Sequence, residues 1–159
     1  MHSRIYQVSE NPISQDKLSR EHDYEFLVGS VADYVAEVAY KSIEYISDLE
    51  WLQSATDGLE IDTEKGTLII KSKKEYFEKK YDTFKEYLQR LQDVTLEEFI
   101  KDKAYFEVYF EICELKSAYN DNHAFYINSD DDCETLDSFV RFKEENKVYY
   151  IGSIMDYHF

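Results

Sequence analysis

The chain has 159 residues, with 34 acidic against 18 basic side chains and a net charge of −16. That charge argues against a phosphate-binding surface built on Lys and Arg, and so against direct nucleic-acid binding, and it opposes anionic membranes. Fifteen tyrosines, ten phenylalanines and a hydrophobic share of 43% exclude a disordered acidic chain, so 1–159 is read as one folded domain.

Ser3–Ser9 reads as a strand, ended by Glu10-Asn11-Pro12, because Pro12 biases Asn11 away from helix. Ser14 is placed to cap a short turn over 15–20. Val31, Val35 and Val38, then Ile43, Ile46, Leu49 and Leu52, recur at threes and fours, which predicts a short helix near 30–38 and a second near 41–55. Asp57-Gly58 stops the second. Leu59–Asp62 and Thr67–Lys71 flank Thr63-Glu64-Lys65-Gly66, and Gly66 suits the left-handed position of a hairpin loop.

Lys73–Gln92 carries Phe77, Tyr81, Phe84, Leu88 and Leu91 on one stripe, a helix expected to pack on a sheet rather than in a coiled coil. Thr95 and Glu98 form a capping box that opens a helix carried to about Ser117. Phe106, Val108, Phe110 and Ile112 alternate as a strand would, but no breaker interrupts the segment. Read as a helix, it has one narrow polar stripe of Lys103, Glu107, Glu111 and Glu114, which predicts burial on most sides, with Cys113 in the core. His123–Asn128 reads as a strand, Glu134–Arg141 as a helix capped by Ser129 or Asp132, and Val148–Asp156 as a strand kinked at Gly152. The sum is an α+β domain: a small, mostly antiparallel sheet of about five strands with four or five helices on it.

No catalytic signature is present. Asn128, Asp130, Asp132 and Glu134 space their oxygens like a calcium loop, but Cys133 replaces the loop glycine and Phe139 the closing carboxylate, so they read as a solvated helix cap. None of His2, His22, His123 and His158 belongs to a metal-binding pair. His158 with Asp156 is a candidate general-base pair. Cys113 and Cys133 lie among acids, which disfavours thiolate. No cofactor is expected. Tyr40, Tyr45, Tyr76, Tyr87, Tyr105, Tyr109 and Tyr119 fall off or beside the apolar stripes, where tyrosine suits an interface.

Leu136-Asp137-Ser138-Phe139-Val140-Arg141, Tyr149-Tyr150-Ile151-Gly152 and Asp156-Tyr157-His158-Phe159, with Val31-Ala32-Asp33-Tyr34-Val35 and Glu50-Trp51-Leu52, resemble short acidic proteins of Gram-positive bacteria and their mobile elements. The resemblance implies a cytoplasmic bacterial protein and carries over no site residue. The reading that follows is a non-catalytic interaction module. It docks on a basic protein through Asp130, Asp131, Asp132 and Glu134 and the rings of Tyr105 and Tyr109, with no membrane and no direct nucleic-acid contact. Two alternatives stand beside it: a DNA mimic that inhibits a nucleic-acid-binding enzyme, and a small metal-dependent hydrolase using Asp130–Asp132, Asp156 or His158. Composition does not set the oligomeric state.

Overall fold

A computed structural model describes residues 1–101, 107–121, 124–129 and 132–159. Its frame is one seven-stranded, mostly antiparallel sheet in an α+β fold. The strands are β1 (His2–Ser9), β2 (Tyr34–Val38), β3 (Leu59–Asp62), β4 (Thr67–Ile70), β5 (Tyr126–Ser129), β6 (Asp132–Thr135) and β7 (Val148–His158). They lie in the order β3-β4-β7-β1-β5-β6. The long β7 is shared on its outer side by β4 at one end and β2 at the other. Among the described strands the one parallel pair is β1 with β5, which places Ile5 beside Tyr126.

Two strands exceed the five expected. The segment near 30–38 is the strand β2, not a helix. Val35 and Val38 are β-branched, and the free half of β7 offers five residues of antiparallel partner, from Ile154 to His158. Asp132–Thr135 is the strand β6 against β5, not the head of a helix. The helix that follows is α5 (Leu136–Phe142). Its cap is Thr135, whose hydroxyl accepts from Ser138 N at 3.2 Å, rather than Ser129 or Asp132.

A bulge lets β7 serve both faces of the sheet. Val8 pairs with Ile151 but Tyr6 with Ile154, so Gly152 and Ser153 together oppose Gln7. The extra residue switches side-chain parity. Tyr149 and Ile151 enter one core layer before it; Ile154 enters the same layer after it, while Met155 and Tyr157 point to the opposite face. The Gln7 amide fills the bulge: Oε1 accepts from Ser153 N and Ser19 N, and Nε2 donates to Lys17 O. The kink read at Gly152 is therefore a bulge inside a continuous strand.

The larger core layer gathers Tyr6, Leu49, Leu52, Leu68, Ile70, Phe139, Val140 and Ile154 beneath α1 (Ile43–Ala55) and α5. Ser42 caps α1 through Tyr45 N at 3.1 Å. The buried side of α1 is Tyr45, Asp48, Leu49 and Leu52, so the helix turns Ile43 and Ile46 outward, contrary to the expected stripe. The opposite face of the sheet is closed by a 3-10 segment, Glu21–Leu27, through Tyr24 and Leu27. The β3–β4 hairpin forms as read, with Gly66 at φ 63°.

The remaining helices are α2 (Lys73–Gln92), α3 (Leu96–Lys101) and α4 (Val108–Tyr119). Helix α2 does not pack on the sheet as expected. Only Tyr76, in its first turns, is buried, and the rest of its length lies along α4. At 1.5 Å per residue α2 is about 30 Å long, so most of it stands away from the sheet. The fifteen residues beyond Phe77 find their apolar partner in another helix.

Candidate interaction surfaces

Two surfaces emerge from this architecture: a helical arm and an acidic groove on the sheet body. The arm is the α2–α4 pair. Phe84 lies by Tyr119 and Arg90 by Glu111, so the two helices run antiparallel. Its base is held by Arg141 of α5, whose guanidinium sits 4.7 Å from the Phe77 ring centre and 4.6 Å from that of Tyr119, and which donates to Tyr119 O at 2.9 Å. Asp137, buried beside it, accepts from the Tyr76 hydroxyl at 2.8 Å, from Lys80 Nζ at 3.0 Å and from Asp121 N at 3.1 Å. These contacts tie the first turns of α2 to α5.

Helix α4 is not buried on most sides, as its sequence predicts; Val108 is its single buried residue. Its acidic stripe is turned inward. Glu111 and Glu114 are half-buried; Glu111 reaches Arg90 at 3.5 Å, and Glu114 reaches Tyr87. Glu111 Oε2 is buried without a hydrogen bond. The outward side is apolar: Tyr109, Phe110 and Ile112 are 47–52% exposed, while Tyr119, also partly exposed, lies against Phe84 and Arg141. Cys113 is also exposed rather than in the core. Helix α3 adds Leu96, Phe99 and Ile100 at 66–74% exposure. Its capping box forms as read, Thr95 N donating to Glu98 Oε2 at 2.7 Å and Glu98 N to Thr95 Oγ1 at 3.2 Å.

The groove lies between the outer edge of β2 and α1. Glu37, Glu44, Ser47, Asp48 and Asp156 line it, with Arg4 at its floor. Arg4 Nε donates to Asp48 Oδ2 at 2.8 Å while Nη1 bonds Asp156. His2 Nδ1 lies 3.0 Å from the other Asp156 oxygen. Arg4 thus ties β1, β7 and α1 together and engages both inner carboxylates; Glu37 accepts from Arg20 Nη1 at 2.8 Å at the rim, which leaves Glu44 as the groove's open charge. Beyond the groove, Tyr34 is 45% exposed and stacks on His158, 5.5 Å between ring centres.

The expected His158–Asp156 pair does not form. His158 Nδ1 meets Asp33 at 3.1 Å, and Asp156 is taken by Arg4 and His2. Among the described residues no group of three or more His, Cys, Asp or Glu is placed to hold a metal ion. Burial, then the neighbouring Asp132 and Glu134, push the Cys133 thiol up to about 12, so it is held protonated at neutral pH.

Of the residues expected to contact a partner, Asp130, Asp131 and Tyr105 lie outside the described residues. Asp132 and Glu134 sit on β6, at one edge of the sheet, and Tyr109 on the arm. Asn120, at the end of α4 that adjoins β6, accepts from Thr135 at 2.6 Å. Tyr109 is eleven residues away along the helix, about 16 Å, so the structure does not gather these side chains into one patch. The acidic groove was missed in the sequence because its members come from four separate segments. The outward face of α4 was missed because an apolar helix is ordinarily read as core.

No helix among the described residues is long and apolar enough to cross a membrane. Compared with protein-family models, with curated proteins and with solved structures, the chain matches none.

Proposed function

We propose that this protein is a non-catalytic acidic interaction module of the bacterial cytosol that docks on a basic protein partner. The observation that carries the reading is the separation of charge from apolar surface. Residues 73–118 hold 9 basic against 11 acidic side chains, so fourteen of the sixteen surplus negative charges lie on the rest of the chain, chiefly the sheet body. A field of that kind steers cationic partners and suppresses anionic ones.

The groove beside β2 is the docking place this reading favours. Glu44 leaves an open carboxylate there, Glu37 adds a second that shares its charge with Arg20, Tyr34 supplies an exposed ring beyond them, and among the described strands β2 pairs with β7 alone. A Lys or Arg side chain of a partner entering the groove gains charge-assisted hydrogen bonds.

The test is titration with a basic globular protein such as cytochrome c at low ionic strength, using the native chain and an E37K/E44K variant. The variant is expected to bind at least about tenfold more weakly, a difference of about 1.4 kcal/mol. Equal affinity for the two chains, or no binding by either, refutes the reading.

A further inference from the structure

We infer that the outward face of α4 seats a second copy of this chain, arm against arm across a two-fold axis. The first ground is the inversion of α4. A helix with one polar stripe ordinarily shows that stripe to water; here Glu111 and Glu114 face α2, and Tyr109, Ile112 and Cys113 face out. That orientation leaves one glutamate oxygen buried without a partner, a cost that burial of the outward face offsets.

The second ground is the concentration of apolar surface. Helices α2, α3 and α4 carry Tyr81, Leu96, Phe99, Ile100, Tyr109, Phe110, Ile112 and Tyr119, eight of the seventeen large apolar side chains exposed among the described residues, with Tyr109, Phe110 and Ile112 on the outward side of α4.

The third ground is charge, and it selects the occupant. Two molecules of net charge −16 repel through their bodies but can approach through the arm, where the surplus is only two. A basic partner gains nothing from the arm that the body does not offer more strongly. The outward stripe is also self-complementary. If two α4 helices cross antiparallel about a dyad between Ile112 and Cys113, Ile112 of one meets Cys113 of the other, and Lys116 meets Tyr109. Each Lys116 then covers a tyrosine ring, a contact this protein already makes with Arg141 on Tyr119 and Arg90 on Tyr87.

The experiment is sedimentation velocity on the full chain across concentration and salt. The expected mass is twice 19.0 kDa, with association strengthened by added salt because screening removes repulsion between like-charged copies. Ile112→Glu and Tyr109→Glu each weaken the dimer at least about tenfold, with unchanged circular dichroism. Phe142→Ser, at an exposed position off the arm, leaves it intact. With helix axes about 8–10 Å apart, a short bismaleimide links Cys113 to its counterpart, and C113S abolishes the link. A monomer under all conditions, a dimer indifferent to Ile112→Glu, or a dimer weakened by salt overturns the inference. So does cytochrome c binding that is lost in Ile112→Glu, since that places the cationic partner on the arm. Failure of groove binding is read separately, by E37K/E44K.

Discussion

At the scale of residues, the side chain that most decides the molecule's shape is Asp137. It is 2% exposed, yet it accepts from Tyr76, Lys80 and the Asp121 amide, so a buried carboxylate is fully engaged. Removing it strands the Tyr76 hydroxyl and the Lys80 ammonium together. Asp137→Ala is expected to cost about 3 kcal/mol, read by urea denaturation, whereas Tyr76→Phe costs about 1 kcal/mol. A double-mutant cycle in which the two changes are additive would show that the pair is not coupled. Gly58 works at the same joint. Its φ of +72° and its O accepting from Lys71 N and Ser72 N turn the hairpin into α2, where a β-carbon would lie 2.8 Å from Tyr76 N and closer still to Ser72 O.

Among the elements, α4 is the anomaly. Because Glu111 Oε2 is buried and unbonded, Glu111→Met is expected to raise stability by about 1 kcal/mol while sparing the outward face. A fall in melting temperature would mean that its long contact with Arg90 matters more than the orphaned oxygen. Elements with local signals were legible in the sequence: the Gly66 hairpin, the Thr95–Glu98 box, α2 and the strands β1, β3, β4, β5 and β7. Strands whose partner is distant were not. Tyr34–Val38 carries valines at helical spacing, and only the unpaired half of β7, more than a hundred residues away, makes it a strand. The stripe of α2 was legible but its partner was not, since Phe84 and Leu88 suit a helix as well as a sheet. The site suffered most. Arg4, Glu37, Glu44, Asp48 and Asp156 have no common spacing, and the Asp156–His158 proximity in sequence misled because Arg4 and His2 engage the carboxylate first.

For the whole molecule, tyrosines set the alkaline limit. Burial raises Tyr6, Tyr24, Tyr45, Tyr76 and Tyr157 above the ordinary phenol value near 10. Below that value their protonated state costs the fold nothing. Above it the unfolded chain loses protons that the native one keeps, so stability falls as pH rises. The melting temperature is expected to drop steeply above about pH 10, with the share of tyrosinate absorbance that belongs to these five rings appearing only as the chain unfolds; ionisation of all the tyrosines in the folded protein would contradict their burial. The larger claim is that one molecule presents a charged body to a cationic protein. Calorimetric titration of cytochrome c into the native chain at rising salt tests it most directly. The account predicts an affinity that falls steadily as the salt is raised; an affinity that holds constant or grows would contradict it.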